Sequence, residues 1–238
     1  MSLSEARIVV IGGSSGIGLA IARAARLQGA SVLIAGSNVA RLADAAGQVP
    51  GLDTAVLDIR DEEQVASFFR HAGPLDHVVV TAGAAIAAAP LQTLDVDAAD
   101  NAMQVKLRGS LLVAKYAAPQ LGAGGSIGFT TGVLGRKPAL NSLIKTVINA
   151  ALEAAVRQLA KELAPLRVYA VSPGPVNTPG WNFADEASRS AMFSKLGQTL
   201  PVGFVATDDD TAAAYLFAMQ ARALTGAVLD LDSGALIA

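Results

Sequence analysis

The chain of 238 residues contains no cysteine, which excludes disulfides, thiolate catalysis and thiolate metal sites. It has only two histidines, His71 and His77. A metal site there would need other ligands to converge, so solvated or capping histidines are expected instead. Charged residues are scarce (16%), the net charge is −2, and lysine and arginine form no dense run. Neither nucleic acid nor an anionic membrane surface is therefore an expected partner.

Long hydrophobic runs are also missing, although 52% of the residues are apolar. No run approaches the ~20 residues of a membrane span, and Met1–Ser4 leads directly into a predicted strand without the pattern of a signal peptide. We expect a cytoplasmic protein without a membrane partner. The high apolar content favours buried surfaces between subunits.

Short β-branched runs alternate with helical patterns along the whole chain. Strands are predicted at Ile8–Ile11, Val32–Ala35, Thr54–Asp58, His77–Thr81, Ser126–Thr130, Val168–Val171 and Val228–Leu231. Helices are predicted at Gly16–Gln28, Val39–Ala46, Glu62–His71, Ala98–Tyr116, Ser142–Leu163 and Asp208–Gln220. This alternation predicts an α/β fold with right-handed crossovers and a parallel sheet covered by helices on both faces.

The segment 178–207 has a weaker pattern, with Trp181, Phe183 and Phe193 on a mostly polar background. An insertion after the sixth predicted strand lies at the carboxyl edge of the sheet, where ligands bind. One interpretation is a substrate lid over about residues 179–206. The other is a surface excursion with a helix at Asp185–Leu196.

A glycine-rich segment, Ile11 to Gly18, lies between the first predicted strand and the first predicted helix. Glycines allow a tight turn there and let a pyrophosphate approach the amides at the helix N-terminus. A glycine-rich motif indicates dinucleotide binding only when it follows a strand and opens a helix, as it does here. The segment therefore predicts a bound dinucleotide.

Further segments make the chain similar to the short-chain dehydrogenase/reductase family. They are Gly12…Gly16-Ile17-Gly18, Asp58-Ile59, Thr81-Ala82-Gly83, Ser172-Pro173-Gly174-Pro175-Val176-Asn177-Thr178, and Thr225-Gly226…Asp232-Ser233-Gly234. The resemblance implies a single-domain Rossmann fold over residues 1–238, with a doubly wound seven-stranded parallel sheet and a small-molecule substrate. It also implies cofactor contacts at the glycine turn, at the ends of the next strands and near the nicotinamide. Those candidate residues are Gly12, Ser14, Ser15, Gly16, Ile17, Gly18, Ser37, Asn38, Asp58, Ile59, Ala82, Gly83, Gly174, Val176 and Thr178.

Two positions of the glycine turn and its support depart from the family pattern. Ile11 stands where the family usually has threonine, and Thr81 where it usually has asparagine. The structure is needed to show whether hydrogen bonds from these two positions still stabilise the glycine turn.

The end of the second predicted strand bears on the choice of cofactor. An acidic side chain there would bind a free 2′-hydroxyl and repel a 2′-phosphate. The chain has Ala35-Gly36-Ser37-Asn38 instead, with no acid, and Ser37 and Asn38 can donate to phosphate oxygens. Arg41 either adds charge or lies on a solvated helix face. The sequence favours NADP(H) over NAD(H).

The catalytic pattern of the family is broken. The family uses serine, tyrosine, lysine and asparagine, but this chain has no Tyr-x-x-x-Lys in the helix Ser142–Leu163. An alignment without gaps places Gly132 at the serine, Lys145 at the tyrosine, Asn149 at the lysine and Lys106 at the asparagine. An alternative alignment places Asn141 at the tyrosine and keeps Lys145 as the lysine. Neither alignment restores the phenol.

Lys145, Lys106, Asn149 and Thr131 are the candidate catalytic residues. Two ammonium groups in one partly dry pocket would lower each other's pKa, and such a lysine can transfer a proton or attack a carbonyl. A lysine that stays charged can polarise a carbonyl oxygen. Asn149 can take over ribose contacts, and Thr131 can supply a hydroxyl. The opposing interpretation is that both lysines are solvated or salt-bridged and that the site is inactive.

The sequence thus predicts an NADP-dependent oxidoreductase acting on a small carbonyl or alcohol. The alternatives are a non-redox lyase, isomerase or cyclase on the same fold, and a non-catalytic NADP(H)-binding protein. The resemblance also implies a homodimer or homotetramer built on the Ala98–Tyr116 and Ser142–Leu163 helices, whose small residues allow close approach.

Overall fold

The computed structural model describes residues 2–181 and 185–238, and in them strands and helices alternate in the expected order. The strands are β1 Arg7–Ile11, β2 Ser31–Gly36, β3 Leu52–Val56, β4 Leu75–Val80, β5 Leu121–Thr130, β6 Arg167–Pro173, β7 Val176–Asn177, β8 Ala206–Thr207 and β9 Val228–Leu231. The α-helices are α1 Gly16–Leu27, α2 Val39–Gln48, α3 Glu62–Ala72, α4 Val96–Met103, α5 Gly109–Ala117, α6 Leu143–Glu162, α7 Glu186–Gly197 and α8 Asp208–Gln220.

Seven of these strands form one parallel sheet in the order β3-β2-β1-β4-β5-β6-β9. This confirms the predicted doubly wound sheet. The strand β1 is hydrogen-bonded to β2 on one side and to β4 on the other. The chain reverses its direction of winding between β1 and β4, which is where open α/β sheets bind ligands.

Apolar clusters cover the sheet on both faces. In β1, Ile8 and Val10 belong to the cluster that packs against α1 and α8. Val9 and Ile11 belong to the opposite cluster, which packs against α3, α5 and α6. A strand buried on both sides must be continuously apolar, which explains the short unbroken hydrophobic runs in the sequence.

The predicted helix Ala98–Tyr116 is in fact divided. The helix α4 ends at Met103, a π-helical turn covers Gln104–Arg108, and α5 follows from Gly109. Single π-helical turns within α-helices occur frequently at functional sites. This turn carries Lys106. A second difference is that β3 ends at Val56, so Asp58 lies in the loop beyond the strand and not in it as predicted.

The segment 178–207 contains the helix that the surface interpretation predicted, α7, one residue later than expected. The two ends of the segment are joined, because β7 and β8 pair in parallel through Val176↔Ala206 and Asn177↔Thr207. Phe193 is buried in a small apolar cluster with Leu200 and Val205. Phe183, named with the lid, lies outside the described residues.

The expectation of solvated or capping histidines fits the exposed His71 but is wrong for His77, which is packed inside the fold. His71 is exposed and bonds the Ser67 carbonyl, whereas His77 is buried and bonds Ser126 Oγ through Nδ1 at 2.8 Å. Within residues 2–181 and 185–238, no three His, Cys, Asp or Glu side chains lie together as metal ligands would. In the same residues every helix is too short or too polar to cross a membrane.

We predict that His77 makes the protein sensitive to acid. Burial lowers the pKa of His77 to about 4, so the folded state keeps it neutral while the unfolded chain protonates below its ordinary pKa of 6.5. As the pH falls from 6.5 to 4, the free energy of unfolding should drop by up to about 3 kcal/mol more than in His77→Asn. Denaturant unfolding at several pH values measures this. Equal pH slopes in the two proteins would contradict it.

Candidate active site

A cleft of about 490 Å³ opens at the carboxyl ends of the strands β1, β2, β3 and β4. Most of the predicted cofactor residues line it. They are Gly12, Ser14, Ser15, Gly16, Ile17, Gly18, Ser37, Asn38, Asp58, Ile59, Ala82, Gly83 and Thr178. Gly174 and Val176 are not among the lining residues. Gly174 packs against the backbone of Asp232, and Val176 is buried where β7 pairs with β8.

The glycine turn is packed directly against the end of β4. Gly12 has φ +83°, and a Cβ on it would lie 2.7 Å from the backbone nitrogen of Ala82. A Cβ on Gly18 would overlap the Gly12 carbonyl oxygen. Thr81 Oγ1 donates to the carbonyl oxygens of Ile11 and Gly12, each 3.1 Å away. Threonine in place of the usual asparagine therefore still braces the turn.

The N-terminus of α1 faces the cleft with its first backbone N–H groups. Ser15 is the N-cap residue and its side chain makes no capping hydrogen bond, so the first-turn donors are available to a ligand. Such a helix N-terminus attracts phosphate by its dipole and its free N–H groups. The glycine cradle and these donors fit a pyrophosphate.

The loop after β2 and the first turn of α2 present donors and one cation. Asn38 caps α2, because its Oδ1 accepts from the Arg41 backbone nitrogen at 2.9 Å. That bond uses the amide oxygen and leaves the amide NH₂ for a ligand. Ser37 and Arg41 also line the cleft, and Arg41 has no ion-pair partner among the described residues. The combination suits a phosphate group.

Asp58 is not a free acceptor at the adenine end of the cleft. Arg60 Nη2 lies 2.6 Å from its Oδ2, and the guanidinium holds the pKa of Asp58 below its usual range. Arg60 also donates to Asn101 Oδ1 at 2.9 Å and lines the cleft itself. Arg60 is not among the predicted site residues. The only indication of it in the sequence is that a basic residue stands two positions after Asp58.

Lys106 and Asn149, which the gapless alignment places at the asparagine and lysine of the family pattern, contact each other. Lys106, on the π-helical turn, donates from Nζ to Asn149 Oδ1 on α6 at 2.8 Å. It also donates to the Thr131 carbonyl oxygen at 3.2 Å. Burial lowers the pKa of Lys106 to about 8. The expectation that a second ammonium group lowers this pKa is wrong, because desolvation is the cause.

Thr131 contributes its carbonyl and not its hydroxyl. Its side chain is buried, and Oγ1 faces the Val171 carbonyl at 3.4 Å and Glu153 Oε1 at 3.5 Å. The next residue, Gly132, leaves room for Asn149, since a Cβ on Gly132 would lie 3.1 Å from Asn149 Nδ2. Gly132 and Asn149 are therefore packed closely against each other.

Lys145 is exposed in the first turn of α6. It forms no hydrogen bond or ion pair with any residue that the structure describes, including Lys106 and Asn149. A small hollow beside it is lined by apolar residues such as Ile86, Leu94 and Ile144 and by the polar residues Asn141 and Ser142. The structure therefore separates the two lysines by environment, since Lys106 is desolvated and Lys145 is solvated.

Comparison with known proteins identifies the family. The family model described as enoyl-(acyl carrier protein) reductase matches residues 11–235. The short-chain dehydrogenase/reductase ATR9 of Stachybotrys chlorohalonatus is 35% identical, and the match covers 97% of this chain and 96% of that protein. The chain belongs to the short-chain dehydrogenase/reductase family. It is therefore an oxidoreductase of the short-chain dehydrogenase/reductase type.

Two solved structures of this family are similar over the full length. One is a small-chain dehydrogenase in complex with NADPH, with 38% identity, a TM-score of 0.85 and coverage of 99% of this chain and 100% of that one. The other is the MalC reductase/Diels-Alderase from Malbranchea aurantiaca, with 28% identity and a TM-score of 0.91. That match covers 100% of this chain and 99% of that one.

An ion pair anchored on a buried carboxylate lies close to Asn149 on α6. Glu153, one helical turn after Asn149, is buried and lies 3.2 Å from Arg136 Nε. Arg136 also donates to Asp230 at the sheet edge, at 2.9 Å from Nη1. Glu153, Arg136 and Asp230 are not among the predicted site residues. The sequence does indicate Glu153, because it stands four residues after Asn149 and therefore lies on the same face of the helix.

We predict that Lys106 makes stability rise with pH in the alkaline range. Between about pH 8 and 10.5 the unfolded chain binds a proton that the folded Lys106 does not, so stability increases as the pH rises. Relative to Lys106→Met, the wild type should gain up to about 3 kcal/mol across this range. Denaturant unfolding at graded pH measures it. The exposed Lys145→Met variant should show the wild-type slope, and a wild-type slope in Lys106→Met would contradict the prediction.

Proposed function

We propose that this protein is an NADPH-dependent oxidoreductase of a small, largely apolar carbonyl or alcohol. The observation that carries the proposal is the desolvated Lys106 Nζ, held 2.8 Å from Asn149 Oδ1 at the positions of the family's catalytic residues. It provides one titratable proton donor in a site without the usual phenol. Supporting features are the glycine cradle and the donors and cation that follow β2.

The preference for NADPH rests on the absence of an acid after β2. Ser37, the Asn38 amide and the Arg41 guanidinium supply donors and charge of the type that a 2′-phosphate needs. The carboxylate of Asp58, which also lines the cleft, is neutralised by its ion pair with Arg60. The similar small-chain dehydrogenase in complex with NADPH is consistent with this choice.

In the proposed mechanism NADPH supplies the hydride when it is bound, and residues of the chain supply the proton and position the substrate. Lys106 is mostly protonated at neutral pH, so its ammonium can polarise a substrate oxygen and release a proton to it. Asn149 fixes the position of Nζ. Lys145, exposed beside a small hollow, adds positive charge where a substrate would enter.

A second candidate is a non-redox elimination, isomerisation or cyclisation on the same site. The observation that favours it is the replacement of the phenol by amine and amide groups, together with the similarity to a reductase/Diels-Alderase. Formation of product without a change in nicotinamide absorbance would identify it. NADPH binding with no product from any substrate would instead support a non-catalytic NADP(H)-binding protein.

We predict that Lys106→Met abolishes the reductase activity. With NADPH and a panel of small aldehydes and ketones, kcat should fall roughly 10²–10⁴-fold, because the proton donor is lost. Lys145→Met should mainly raise KM, since its charge acts on substrate entry. Lys161→Met, an exposed lysine at the far end of α6, serves as the matched control. Full activity in Lys106→Met, or no turnover by the wild type over the whole panel, would overturn the proposal.

We also predict that Arg41 decides between the two cofactors. Arg41→Ala should raise the KM for NADPH roughly 10–100-fold, because one charge-assisted hydrogen bond to the 2′-phosphate is lost. The KM for NADH should change little. Arg70→Ala, which removes another exposed arginine away from the cleft, is the control. Equal losses with NADPH and NADH would argue against a 2′-phosphate contact.

A further inference from the structure

The surroundings of Lys106 Nζ contain oxygen acceptors but no anion. Both hydrogen-bond partners are neutral, namely the Asn149 amide oxygen at 2.8 Å and the Thr131 carbonyl oxygen at 3.2 Å. Within the described part of the chain no carboxylate lies within ion-pair distance of this nitrogen. The buried carboxylate of Glu153 is paired with Arg136 instead.

These contacts also fit the uncharged amine, which forms as the pH approaches about 8. A neutral amine has two N–H donors and one lone pair, which matches two acceptors and leaves the lone pair free. An ammonium group has a third N–H, for which the described residues provide no acceptor. Desolvation acts in the same direction, since it disfavours the charged form.

The other lysines of the chain have different environments. Lys115 is paired with Glu62 at 2.7 Å, which raises its pKa. Lys137 donates to backbone carbonyls of the C-terminal residues. Lys145, Lys161 and Lys195 are exposed to solvent. Lys106 alone among these six lysines combines desolvation with neutral partners.

The position of Lys106 also places it beside the cleft. The preceding residue, Val105, and Asn101 one turn earlier both line the cleft. Lys106 is itself only partly buried. Lys106 is not among the residues that line the cleft, so a small carbonyl compound must approach the amine past Val105.

We propose that Lys106 is a nucleophilic amine that forms an imine with a small aldehyde or ketone. The nitrogen lone pair attacks the carbonyl carbon, and one N–H proton passes to the carbonyl oxygen. The carbon–oxygen bond then breaks, the second N–H proton leaves with the oxygen as water, and a C=N bond remains. No electrons are gained or lost, so the step needs no nicotinamide. It is a covalent activity in addition to the proposed reduction.

The test uses the whole protein without cofactor. The protein is incubated at pH 8 with propanal and sodium cyanoborohydride, which reduces the imine to a stable propyl-amine, and peptide mass mapping locates the adducts. Lys106 should be modified at least about tenfold faster than the exposed Lys145 and Lys161, because its amine is desolvated and held between two neutral acceptors, which disfavours the charged form. Modification of Lys106 no faster than these two lysines would overturn the proposal.

Asn149→Asp provides a nearly isosteric second test. A carboxylate 2.8 Å from Nζ would hold Lys106 as an ammonium group, so its labelling should fall to the rate of Lys145 while the labelling of Lys145 stays unchanged. Circular dichroism and the unfolding midpoint verify that the variant is folded. Undiminished labelling of Lys106 in the folded variant would count against the proposal. If labelling fails, the proposed reduction by NADPH is unaffected, because no nicotinamide takes part.

Discussion

The site depends on the way β1 is shared by the two halves of the sheet. Because β1 pairs with β2 on one edge and with β4 on the other, the connections that leave their carboxyl ends diverge and a cleft opens between them. The glycine turn can follow β1 at that point only because it fits closely against Ala82 at the end of β4. The first turn of α1 is thereby aimed into the cleft, where it can bind a phosphate.

Three of the residues singled out as candidates for the catalytic positions form one contiguous arrangement. Gly132 makes room for the Asn149 amide, and Asn149 in turn accepts a hydrogen bond from Lys106. The π-helical turn that carries Lys106 changes the direction of this side chain relative to a regular helix. A lysine that supplies proton chemistry in this position would also be suited to covalent attack on a carbonyl, because both uses need a desolvated amine.

Several elements could be predicted because local signals fix them. The bounds of α8 agree with the prediction, since Thr207 and Asp210 form a capping box at its start. The π-helical turn could not be predicted, because the apolar pattern of Ala98–Tyr116 continues through it. The prediction that Thr131 supplies a hydroxyl group to the site does not agree with the burial of its side chain. Thr131 follows β5, in which Ile127 and Phe129 face the helices, and the alternation of the strand already indicated that its hydroxyl would be buried.

The sequence by itself determined the parallel sheet, the family and the dinucleotide cleft, because these depend on short motifs and on the order of strands and helices. The tertiary structure alone decided which candidate groups meet. Lys106 and Asn149 are 43 residues apart, and Asp58 is neutralised by an arginine that folds back from its own loop. Such contacts depend on the packing of separate elements, and that packing sets both the distance and the desolvation that determine the chemistry of Lys106.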